Sequence, residues 1–204
     1  DHICKTVYST CGGISPIANA YINNLEEGGE LISYDIDPVA VHMQWYVSNN
    51  WNGQNWSKFV RDFMRENPIL GSRFACEHEL KFMEEYIEEL GDDFLQWWNT
   101  TYKTFDHKFK VLDLMAITRV KNELKSQMDE GDERKVFIDV SNAFNYEINS
   151  ILYSKNIRLR IENDYLDFFK KHPTKFIIRG FDTNEVNVDS KFPYLPKLFP
   201  WQKI

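Results

Sequence analysis

The stretch from Val7 to Val41 constrains this chain more than any other: V-Y-S-T-C-G-G-I-S-P-I-A-N-A-Y-I, then E-L-I-S-Y-D-I-D-P-V-A-V. Its start is short and β-rich, the composition of a strand over residues 6–10. Gly12 and Gly13 allow a tight turn. Ser15-Pro16 offers a capping residue and a first-turn proline, which opens a helix running to about Leu25. Gly28-Gly29 is expected to end that helix. A second strand, residues 31–34, closes on Asp35. Strand, glycine turn, helix and strand make one βαβ unit, and such units build parallel sheets covered by helices.

The alternation continues. Asp37-Pro38 reads as N-cap and first helical residue of a helix over 39–49. Residues 51–105 break the pattern and carry no strand signal. They hold W-N-G-Q-N-W, a short helix over 57–66, and a helix over 77–90 with an apolar stripe at Leu80, Met83, Tyr86, Ile87 and Leu90, which 94–98 extends. This part is expected as a helical insertion over one edge of the sheet, with a lid as one use. Strands then follow at 109–112, 135–140 and 175–179, separated by helices at 117–128, 148–153 and 163–171. The tail from 182 carries Pro193, Pro196 and Pro200 between bulky apolar residues and reads as an extended wrap. The expected fold is a Rossmann-like α/β three-layer sandwich forming one domain over 1–204, its mostly parallel sheet flanked by helices on both faces.

With 204 residues, 43% of them hydrophobic and 27% charged, the chain can bury a real core and does not resemble a disordered one. A net charge of −7 would repel phosphates, so general nucleic-acid binding is disfavoured; Lys155, Arg158 and Arg160 make only a local basic patch. Cys4, Cys11 and Cys76 have no metal-binding spacing and suit a reducing cytoplasm. No His/Cys set has zinc spacing, and no metal is expected. No apolar run is long enough for a membrane span, and no signal peptide is evident. Because the chain opens almost directly on a strand, a preceding segment is expected in the full protein.

In open parallel sheets, ligands bind beyond the carboxyl ends of the strands. The residues able to meet one fall there: Gly12 and Gly13 after strand one, Asp35 after strand two, Asp113 after strand three, and Ser141 and Asn142 after strand four. Glycine allows close backbone approach, a helix N-terminus offers free N–H groups, and an acid at the second strand tip can accept both hydroxyls of a ribose. The chemistry indicated is a nucleotide-type cofactor.

These residues resemble those of the class I S-adenosylmethionine-dependent methyltransferases, of which the chain would be a divergent member. The resemblance covers most of the chain outside the insertion and tail. It implies S-adenosylmethionine as cofactor, with Asp35 in I-S-Y-D-I-D-P-V-A-V on the ribose and Ile36 beside the adenine. It also implies that Asp113 and Leu114 of V-L-D-L-M lie near the adenine. After strand four, in I-D-V-S-N-A-F-N-Y-E, it implies that Ser141 and Asn142 face the cofactor and that Phe144, Tyr146 and Glu147 face a substrate. The first motif, T-C-G-G-I-S-P, has adjacent glycines and no acid where the family carries one. S-N-A-F retains only the final aromatic of the tetrapeptide used by amine methylators. The S-N-x-F-x-Y pattern is similar to proteins that transfer the aminocarboxypropyl group of the same cofactor.

Each residue also has a plainer use. Asp35 and Asp113 can cap turns, Asp37 can cap a helix, and Ser141 and Asn142 can bond their own turn. Cys11 is either a nucleophile or a small buried residue in a tight turn. Asp139, inside a strand, needs a partner if it points inward; it and Glu147 are the nearest bases should an acceptor have to lose a proton. Trp51, Gly53 and Trp56 make either a packed turn or aromatic walls for a sulfonium. An NAD-dependent oxidoreductase would use the same glycines and acid, although the full G-x-G-x-x-G is missing. A catalytically idle Rossmann-like module is the remaining alternative.

Overall fold

The computed structural model describes residues 3–68, 77–129, 131–140 and 151–179. Five parallel strands form one sheet in the order β3-β2-β1-β4-β5. The strands are β1 (Cys4–Thr10), β2 (Leu25–Asp35), β3 (Asp106–Val111), β4 (Lys135–Asp139) and β5 (Phe176–Arg179). The helices are α1 (Ser15–Ile22), α2 (Pro38–Asn50), α3 (Trp56–Glu66), α4 (Glu77–Thr100), α5 (Ile117–Ser126) and α6 (Lys155–Lys170). Chain order runs outward from β1 to β3 on one side, then returns past β1 to β4 and β5. The gap between β1 and β4 is therefore the topological switch point of a Rossmann-like three-layer sandwich.

Successive strand residues point to opposite faces, and each face has its own core. Val7, Leu31, Phe137 and Ile177 meet α1 to α4 through Ile17, Met43, Val47, Val60, Phe63, Phe94 and Trp98. Tyr8, Ile32, Val136, Ile138 and Ile178 meet α5 and α6 through Val120, Leu124, Ile161, Tyr165 and Phe169. Right-handed crossovers put the helices of the β1–β3 half on one face and those of the β4–β5 half on the other.

The structure corrects several boundaries. Helix α1 stops at Ile22 because Asn24 takes a left-handed conformation at φ 49°, which Asn tolerates. Gly28 and Gly29 therefore cap no helix and lie inside β2. There the register jumps from Cys4↔Leu25 to Thr6↔Glu30, an irregular bulge that places three extra residues in β2. A Cβ on Gly29 would fall 2.7 Å from Leu25 Cδ1 and 3.0 Å from the Lys5 carbonyl, so the bulge demands glycine there. Ser15 is the first helical residue rather than the cap: its N–H bonds the Gly12 carbonyl and Ile14 takes the cap position. Asp37 does cap α2, accepting from the Val39 N–H at 2.9 Å. Helix α6 starts at Lys155, well before residue 163, because Ser154 accepts from the Ile157 N–H and sets the entry.

The insertion packs on the α1 face instead of along a sheet edge. Trp51, Trp56, Trp98 and Tyr102 are buried together there, with Trp51 and Trp98 ring centroids 5.1 Å apart. Gly53, at φ 85°, lets the turn close on the Trp98 ring. Much of the aromatic content thus fills core, and W-N-G-Q-N-W is a packed turn. No helix among the described residues is long and apolar enough to cross a membrane. Residues 182–204 and residues 148–150 of the helix expected at 148–153 lie outside the described residues; 151 and 152 are helical.

Candidate functional site at the carboxyl edge of the sheet

The strand tips form one aligned edge. Cys11 N–H donates to the Tyr34 carbonyl, Leu112 N–H to the Asp35 carbonyl and Val140 N–H to the Arg179 carbonyl, at 2.8, 2.9 and 2.9 Å. The edge brings together Gly12, Gly13, Asp35, Ile36 and Asp113. Ser141, Asn142, Phe144, Tyr146 and Glu147 lie outside the described residues.

Asp35 ends β2 beside the glycine turn. One carboxylate oxygen accepts from the Asp37 N–H at 2.9 Å, a local turn that holds the side chain in place. Burial pushes its pKa up to about 6, against the opposing pull of the Asp37 N–H, with the Asp37 carboxylate adding to the rise. At neutral pH the group is still mostly ionised. A desolvated, acceptor-only carboxylate held by backbone suits the paired hydroxyls of a ribose.

The two glycines differ. A Cβ on Gly12 would meet nothing nearer than Ser15 Oγ at 3.8 Å, so its surroundings are open. Gly13 is left-handed at φ 56°, and a Cβ there would fall 2.6 Å from the sulfur of Met83 on α4. The close approach at Gly13 is used by the insertion helix. The signal for this contact was present in the apolar stripe of α4, but nothing in the stripe says what it covers.

Cys11 is unsuited to attack. Burial first, and the Asp35 carboxylate second, hold its thiol well above the ordinary range, so it stays protonated at neutral pH. Asp113 uses one carboxylate oxygen for the Met115 N–H at 2.8 Å and the other for the Tyr153 hydroxyl at 3.0 Å. Its neighbour Leu114 is buried in the second core, with its carbonyl accepting from Tyr165.

A buried polar cluster at the tips of β1, β4 and β5 went unread in the sequence, apart from the need of Asp139 for a partner. Asn19 of α1 donates to Ser9 Oγ at 2.8 Å and to Asp139 Oδ2 at 3.1 Å. Arg179 Nη1 donates to Asn19 Oδ1 at 2.6 Å and stands 4.0 Å from the Asp139 carboxylate. The Tyr34 hydroxyl donates to the Asp139 carbonyl. Ser9, Asn19 and Asp139 are each at most 1% exposed, and the Asn19 amide and the Arg179 guanidinium face the Asp139 carboxyl group.

No protein-family model matches the chain, and no solved structure matches it. One curated protein is similar over part of the length: a queuine tRNA-ribosyltransferase of Natranaerobius thermophilus, 27% identical over 106 residues. That stretch is 50% of this chain and 28% of the relative. The Rossmann-like architecture therefore rests on the strand order and the crossover faces.

Proposed function

We propose that this chain is a divergent Rossmann-type transferase of the cytoplasm that uses S-adenosylmethionine. The observation that carries the reading is the pairing of Asp35 with an open Gly12 across neighbouring strand tips, beside the switch point. Asp35 would hold the ribose hydroxyls, Gly12 would let the cofactor pass close to backbone, and Ile36 would supply an apolar flank. Asp113, already bonded to Met115 and Tyr153, would meet the adenine only by sharing an oxygen. The bound sulfonium supplies an activated alkyl group, so the chain need furnish no covalent nucleophile; its own work is alignment and exclusion of water. The partial likeness to a tRNA-ribosyltransferase raises a tRNA acceptor, against which the net charge of −7 weighs.

The test is calorimetric titration with S-adenosylhomocysteine, NAD as comparison and Asp35→Ala as control. Binding of the first, weakened at least tenfold in the variant, is the expected result. Folded protein that ignores S-adenosylhomocysteine sinks the reading, and binding of NAD in its place would redirect it to an oxidoreductase. Product analysis on a bound acceptor would then separate methyl from aminocarboxypropyl transfer.

A further inference from the structure

Arg179 ends β5, and its side chain is only 14% exposed. A guanidinium has five N–H donors in a planar fork. Its hydrogen bond among the described residues is the one from Nη1 to Asn19. The neighbouring carboxylate, Asp139, is 4.0 Å away rather than in a bidentate pair, because the Asn19 amide stands between them. Among the described residues, no carboxylate or other carbonyl pairs with the rest of the fork. A largely buried guanidinium with donors to spare is an anion site, and its planar fork fits a carboxylate best.

Its surroundings place that anion. Tyr86 of α4 lies near Arg179 and Asp139: burial pushes its phenol up to about 12, and the closeness of Arg179 pulls against that rise. Asn19 and Ser9 tie the guanidinium to α1 and β1, the two elements that flank the glycine turn. From Asp35 on β2 the edge runs through β1 and β4 to β5, three strand spacings or about 14 Å. A ligand lying along the edge with its ribose on Asp35 would carry its far end toward Arg179.

We infer that Arg179 binds the carboxylate at the amino-acid end of the cofactor, with Asn19 as the residue that positions the fork. The inference rests on the proposed cofactor class and adds the residue that would distinguish the whole cofactor from its adenosine half. Asp139 has a structural part: bonded to the Asn19 amide, it helps keep the fork aimed.

The probe pair is S-adenosylhomocysteine and 5′-methylthioadenosine, which share the adenosine and sulfur but differ in the amino-acid chain. Wild-type protein should bind the former at least tenfold more tightly. Arg179→Ala should erase that preference while leaving the methylthioadenosine Kd within twofold, which also reports that the site is folded. Arg179→Lys, which keeps charge but loses the fork, should fall between. Wild-type protein with no preference, or Arg179 variants that keep it, overturns the inference while the cofactor class stands. Equal loss of both ligands in the variants overturns it as well, since that is the behaviour of a purely structural arginine. Wild-type protein that binds neither ligand removes the inference together with the cofactor class.

Discussion

Asp35 is held at the cost of stability. Its pKa is raised on folding, from about 3.9 unfolded to about 6, so the native state binds the proton more tightly. Protonation therefore stabilises the fold, and ionisation through pH 6 removes that stability. Asp35→Asn, which still accepts the Asp37 N–H, should stabilise the protein at pH 7 by on the order of 1 kcal/mol. The gain should shrink as pH falls from 6 to 4 and vanish below, which urea melts at pH 7, 5 and 4 would show. The same substitution should abolish binding of S-adenosylhomocysteine, because a neutral amide cannot replace an acceptor-only carboxylate facing two hydroxyls. Wild-type affinity should likewise be constant above pH 7 and fall as pH drops through 6.

Helix α4 decides how the edge is reached. It is broken at Gly91, whose φ of 78° and ψ of −176° are not helical. Beyond the break Phe94 and Trp98 are fully buried in the aromatic core; before it, among the described residues, Leu80 is buried and Met83, Tyr86, Ile87 and Leu90 pack half-buried. The first half lies on the glycine turn, with Met83 on Gly13. Gly13→Ala must accept both a left-handed φ and a collision with Met83, and should cost about 1–3 kcal/mol. Met83→Ala removes the collision but not the φ strain. The double variant should recover part of the loss, a coupling of at least 0.5 kcal/mol in a double-mutant cycle read by chemical denaturation. A fully additive pair would show that the two residues do not touch.

At the scale of the molecule, one sheet separates two cores that share no helix among the described residues. Phe63 lies wholly buried on the α1 face and Leu124 wholly buried on the α5 face. Phe63→Ala should cost about 3–5 kcal/mol and Leu124→Ala about 2–5 kcal/mol. Their distance across the sheet makes the two costs additive within about 0.5 kcal/mol. If the sheet couples both cores into one cooperative unit, each variant still unfolds in a single transition by fluorescence and by circular dichroism. Two separated transitions would show that the faces melt independently. A variant that is too unstable to populate the native state can be replaced by Phe63→Leu.

The local pattern was enough to determine the parallel sheet, the Asp37-Pro38 start of α2 and the place of Asp35 and Gly12 at strand tips. Each follows from interactions a few residues apart, and strand tips in a parallel sheet must share one edge. The bulge at Gly28-Gly29, the contact of Met83 with Gly13 and the Ser9–Asn19–Asp139–Arg179 cluster were decided only by tertiary structure. Asn19 and Arg179 are 160 residues apart in sequence, and neither has a local spacing that marks it. Their partnership exists because β5 adds beyond β4 while α1 crosses the same face, a consequence of strand order. Periodicity told which residues of α4 would be apolar; only the packed sheet determined that one of them would cover the glycine turn.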